Sequence, residues 1–189
     1  MAIPSRLDAE RLLASFELPE GVVVHSRGVS RVAVEAARLL AVEGAPVDPL
    51  LVEIAALLHD IDKLATREDG SQHGLVGARW LLERGYPELA APVAAHPIGC
   101  LLDPARTPRG WASVALAVAD RHVGQRFMSI DERIDDQAAR YPAYRATLEA
   151  AREPARAMEA QLAAAAGLGA EELVARLRAA WQAGEAEAA

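Results

Sequence analysis

The chain has 189 residues, long enough for one domain with a buried core. A formal net charge of -7 argues against the basic face of an extended nucleic-acid binder, and a single cysteine, Cys100, rules out a disulfide within the chain. Hydrophobic residues make up 52% but aromatics only 4%; helix-favouring residues abound and β-branched runs are scarce, so the composition points to an all-α fold.

Ser5 reads as the N-cap of a short first helix through Phe16, broken by Pro19 and Gly21. A second helix is expected from about Val22 to Val42, with Val22, Val29, Val32, Ala36, Leu39 and Leu40 as its apolar stripe. Asp48 followed by Pro49 reads as an N-cap with proline at the first helical position, and this third helix is expected to continue to about Asp62. A polar loop spans Thr66 to Gln72. Helices follow from His73 to Arg84 and from Pro87 to His96, then an irregular loop from Gly99 to Arg109. The strongly apolar sixth helix covers Trp111 to about His122. Ser129 with Glu132 three residues on predicts a capping box for a seventh. One or two alanine-rich helices complete the chain, with Leu173, Val174, Leu177 and Trp181 as the last apolar stripe and a fraying tail GEAEAA. The sequence reads as a single domain with a core at about 22–142. The opening MAIPSRLDAERLL lacks the order of a signal peptide, and the longest apolar stretch is well short of the ~20 residues of a membrane helix. The expectation is a cytoplasmic protein with no membrane contact.

Four of the five histidines fall on apolar helix faces or at helix ends. His25 lies on the buried stripe of its helix. His59 and Asp60 are adjacent in AALLHDIDKLA, with Lys63 placed to address the same side. His73 opens a helix, His96 closes one, and Asp120 ends WASVALAVAD. An ionised aspartate at the end of so apolar a helix is costly unless paired. Metal binding would meet that cost and explain the neutral imidazoles around it. Imidazole suits zinc, iron, nickel and copper, and carboxylates also admit manganese or magnesium. A carboxylate can bridge two ions ~3.5–4 Å apart, and Asp60, flanked by ligands on both sides, is the natural bridge. Each residue alone has a plainer reading. A histidine on an apolar stripe is more often a core residue, Asp120 could pair with Arg121 or Arg126, and Lys63 suits a solvated helix end. His122 reads as a surface residue or one standing behind the ligands. The ordered set outweighs these separate explanations.

At HSRGV (His25), LLHDIDK (His59 to Lys63), HG (His73), AAHP (His96) and AD (Asp120) the sequence resembles the HD-domain metal-dependent phosphohydrolases, over about Val23 to Tyr141. The resemblance implies His25, His59, Asp60 and Asp120 as metal ligands, with His73 and His96 added as in dinuclear members. It implies an all-helical bundle and, after the last aspartate, a short closing helix at MSIDERI. The branch it is most similar to is that of small bacterial HD proteins, which include the symmetrical diadenosine tetraphosphate hydrolases; those use two metals, typically iron. Cobalt, manganese, nickel, zinc or magnesium would also be compatible. Two departures stand out: Pro97 follows the fourth histidine, and Asp62, usually a small residue there, bears by its charge on substrate preference. GYP at Gly85 to Pro87 lacks the His-His-Glu run of the cyclic-dinucleotide phosphodiesterases and is read as a helix stop and start.

The expected activity is hydrolysis of a phosphoester or phosphoanhydride in a small nucleotide, with diadenosine polyphosphates first and nucleoside mono- or triphosphates next. Lys63 would steady phosphoryl charge, and Arg27 and Arg121 would contact phosphate. The rivals are a non-catalytic nucleotide-sensing module on the same fold and a structural helical protein binding partners through Leu173–Trp181. That stripe is expected to pack on its own domain or on a second copy in a homodimer.

Overall fold

The computed structural model describes residues 3–67 and 72–188. These are helical, with no strand among them and one isolated bridge between Val123 and Phe127. Helix α1 (Arg6–Ala14) starts where the Ser5 hydroxyl accepts from Asp8 N, and buries Ala9 and Leu13. Helix α2 (Glu20–Val42) is the axis of the molecule. Its apolar stripe meets α3 (Pro49–Leu57) and α6 (Gly110–His122), which are among the most buried segments. Asp48 caps α3 by accepting from Leu50 N at 2.9 Å, with Pro49 in the first turn. Helices α4 (Leu75–Glu83) and α5 (Pro87–Ala95) pack as a pair, and a 3-10 turn at Ile98–Leu102 leads toward α6.

Helix α7 (Ile130–Arg140) opens with the expected capping box between Ser129 and Glu132. It buries Ile130, Ile134 and Ala138 in a small separate cluster with Leu148 and Ala155 of α8 (Arg145–Ala165). Helix α9 (Ala170–Ala188) returns along α2. Leu173 and Leu177 are completely buried in the main core, with Val174 and Trp181 against it, so the last apolar stripe packs on its own chain.

The structure corrects four boundaries. The third helix stops at Leu57 rather than Asp62. Beyond it the chain continues in tighter turns, such as Lys63 N to Asp60 O at 3.0 Å. The Ala56 carbonyl that would receive Asp60 N in a continuing helix is instead bonded by the His59 ring at 2.6 Å. The fourth helix begins at Leu75, because Gly74 sits at φ +80°, outside helical space, and leaves His73 in the preceding turn. Helix α1 ends at Ala14, two residues early. The tail GEAEAA is helical as far as Ala188, and of it Ala189 lies outside the described residues. The expected polar loop falls outside them at 68–71; at its edge Thr66 bonds back to Asp62 O. No helix among the described residues is long and apolar enough to cross a membrane.

Candidate metal centre

Five elements deliver the six expected ligands to one place. His25 comes from the buried face of α2, His59 and Asp60 from the turns after α3, His73 from the turn before α4, His96 from the C-cap of α5, and Asp120 from the last turn of α6. Three imidazoles are fixed from behind. His59 Nδ1 donates to Ala56 O at 2.6 Å and His96 Nδ1 to Val93 O at 2.7 Å. His73 Nδ1 donates to Asp62 Oδ1 at 2.8 Å. A carbonyl or carboxylate can only accept, so each Nδ1 carries a proton, and Nε2 is the nitrogen left to present a lone pair when the ring is neutral. Those lone pairs converge. His59 Nε2 is buried and has no hydrogen-bond partner. His73 Nε2 and His96 Nε2 face each other at 3.1 Å, and two acceptors at that distance require a proton or a cation between them.

The carboxylates complete the set. Asp60 is buried, with Oδ1 3.1 Å from His73 Nε2 and 3.6 Å from the Nε2 atoms of His59 and His96. Its Oδ2 turns to His25 Nε2 at 3.8 Å. Asp120 Oδ1 lies 3.1 Å from His25 Nε2 and 3.9 Å from His59 Nε2. Two groups, His25–His59–Asp120 and His59–Asp60–His96, each have ligand atoms within 4.8 Å of one another. Asp60 therefore stands between the His25 and Asp120 side and the His73 and His96 side.

Charge is distributed to keep the donors ready. Burial pushes the His59 imidazole down to about 3, more than the neighbouring carboxylates recover, so it is neutral near pH 7. Burial likewise lowers His96, with Asp60 opposing. For Asp60 and Asp120 burial works upward, but their neighbours outweigh it: the His59 ring and the Lys63 ammonium for the first, the Arg121 guanidinium and a hydrogen bond with His25 for the second. Both stay well below the usual carboxylate range.

The remaining expected residues divide. Lys63 is in the site: its side chain is half-exposed, and its ammonium lies 3.3 Å from Asp60 Oδ1 and 3.4 Å from His73 Nε2. Burial would lower it, but Asp60 and Asp120 hold it above its ordinary value. Arg121 is buried behind the ligands, donating to Asp120 Oδ2 and to His96 O at 2.8 Å. Arg27 is not gathered into the cluster; it is half-exposed and paired with Glu10 at 2.8 Å. His122 is no surface residue. It is fully buried, with Nδ1 donating to Met128 O and Nε2 2.6 Å from Glu159 Oε2.

Asp62 has a different part from the one expected. It is fully buried, and its carboxylate accepts from Gly74 N at 2.8 Å, Gly77 N at 2.9 Å and His73 Nδ1. It caps the N-terminus of α4 from outside and orients a ligand, so its charge is engaged within the protein. No local signal in HDIDK reveals this, because its partners lie 11 to 15 residues away.

Four imidazoles, two ionised carboxylates and an orphaned buried Nε2 fit a transition or divalent metal. The HD domain family matches residues 22–138 of the chain. An uncharacterized protein of Methanocaldococcus jannaschii is 42% identical over 80 residues, which cover 42% of this chain and 46% of that protein, so the chain matches less than half of that relative's length. No solved structure matches. HD domains are generally metal-dependent phosphohydrolases, and the His/Asp cluster fits that chemistry. With the match spanning more than half of its length, this chain belongs to the HD-domain family.

Proposed function

We propose that this protein is a phosphohydrolase that cleaves a phosphoester or phosphoanhydride bond of a nucleotide, diadenosine polyphosphates first, at a centre of two metal ions with iron favoured. The observation that carries the reading is the pair of facing His73 and His96 Nε2 atoms beside Asp60 Oδ1, each ring already protonated on its far nitrogen. A second set, His25, His59 and Asp120, lies on the other side of Asp60. His25, His59, Asp60 and Asp120 suffice for one ion; His73, His96 and the other Asp60 oxygen provide for a second.

Bound ions would supply Lewis acidity and a water with a pKa of ~7. The chain's own groups do the rest. Arg121 locks one Asp120 oxygen and leaves the other toward His25 and His59. Lys63, half in solvent and kept charged by Asp60, is placed to offset charge on a phosphoryl oxygen. A phosphate contact by Arg27 would first have to displace Glu10. The preference for diadenosine polyphosphates and iron is supported by the sequence resemblance to the small bacterial HD proteins.

The test is a hydrolysis panel on protein of measured metal content, loaded with iron, manganese, cobalt or nickel. Diadenosine polyphosphates and nucleoside mono- and triphosphates form the panel. Turnover is expected, fastest on a diadenosine polyphosphate. Nucleotide binding without turnover under every metal would overturn the enzymatic reading and mark a nucleotide-sensing module.

A further inference from the structure

Arg133 sits on α7, the helix that follows the last ligand-bearing segment, and its side chain is 9% exposed. This buried side chain makes no hydrogen bond with the described residues. Its Nε is fully enclosed without a partner, and its Nη1 stands 3.6 Å from Asp136, beyond hydrogen-bond distance. Asp136 is itself bonded by Arg140. Nearby arginines are engaged: Arg121 on Asp120 and His96 O, Arg126 on Glu132, Arg152 and Arg156 on Asp131. A buried guanidinium with an orphaned Nε and a single long ion pair is costly, and a ligand that supplies the missing acceptor offsets that cost.

The guanidinium lies at the metal-centre end of α6. A Cβ added to Gly124, four residues past Asp120, would come 3.4 Å from Arg133 Nη1. Burial lowers the Arg133 pKa, and Asp120 opposes that from within electrostatic reach. Arg121 and Arg140 add positive potential on the same side. A planar fork of donors at the same end of α6 as Asp120 matches the oxygens of a phosphoryl group.

We propose that Arg133 is the phosphate-binding arginine of this centre, donating to a non-bridging phosphoryl oxygen of the substrate beside Asp120. The inference rests on the phosphohydrolase reading above and names a recognition residue within it. Its test compares the metal-loaded full chain with Arg133→Met and Arg133→Lys. The readouts are kcat and KM for a nucleotide that the unmodified protein hydrolyses, inhibition by inorganic phosphate, metal content and thermal unfolding. Arg133→Met is expected to lose about 100-fold in kcat/KM and to bind inorganic phosphate at least about tenfold more weakly. Metal content should be unchanged and the melting temperature equal or higher, and Arg133→Lys should recover part of the phosphate affinity. Unchanged kcat/KM and phosphate inhibition in Arg133→Met would overturn the proposal, as would losses that only follow lost metal or lost fold. If the unmodified protein hydrolyses nothing, the phosphohydrolase reading fails separately. Calorimetric titration of the metal-loaded protein with inorganic phosphate then judges Arg133 by the same loss of affinity.

Discussion

Asp62 shows how much of a ligand's placement is set by a residue that is not itself a ligand. One of its oxygens receives His73 Nδ1–H and the other receives Gly74 N and Gly77 N, so a single carboxylate fixes both the ring and the helix behind it. Burial works to raise its pKa, but His73 and Gly77 N outweigh that and hold it below the ordinary value. In Asp62→Asn the amide can still accept from the glycine N–H groups, but its NH2 then meets the His73 Nδ1–H. The ring must turn or change tautomer. Metal titration is expected to show roughly 10–100-fold weaker binding with the helical circular dichroism retained; affinity equal to the unmodified protein would show that Asp62 does not set the ring. The residues of the His/Asp cluster were legible because they are chemically distinctive and fall at ordered positions. The role of Asp62 was not, because it depends on two backbone N–H groups more than ten residues downstream.

At the scale of elements, helix starts were legible wherever a local cap marks them. Ser5, Asp48 and Ser129 cap as their sequences indicate. The helix ends at the site were not legible, because the site itself rewrites them. His59 takes a helix carbonyl, and Gly74 leaves helical space to let Asp62 in. A Cβ at Gly74 would lie 2.8 Å from Val93 O, the same oxygen that receives His96 Nδ1–H. Gly74→Ala also forces a left-handed backbone on alanine, a cost of about 1–2 kcal/mol. It should therefore lower stability by at least that amount and weaken the His73 and His96 half of the centre, read as reduced metal occupancy in denaturant melts and metal assays run together. Occupancy equal to the unmodified protein would contradict the close approach. Ser129→Ala removes the capping box of α7, with an expected loss of about 1 kcal/mol in chemical denaturation. Because α7 carries Arg133, a drop in phosphate affinity should accompany it.

Across the whole molecule, α2 and α6 form the interior and the other helices close around them, so the site lies where five chain segments meet rather than within one motif. The all-helical class was legible from composition and periodicity. The packing of α9 was not, because an apolar stripe alone does not say which surface covers it. Leu173 and Leu177 are completely buried in the core, and a Cβ added at Gly28 on α2 would lie 3.6 Å from Trp181 Nε1. Leu173→Ala should lower stability by about 2–5 kcal/mol without loss of metal from the folded protein; a change within about 0.5 kcal/mol would contradict this packing. At this scale the central proposal is that the His/Asp cluster is a metal centre built around Asp60. The measurement that tests it most directly is the metal-to-chain ratio of the purified and reconstituted protein, set beside that of Asp60→Ala. The unmodified protein should hold up to two ions per chain, and Asp60→Ala should be folded and metal-free. A protein that holds no metal and takes none up, or an Asp60→Ala variant that retains the full complement, would contradict it.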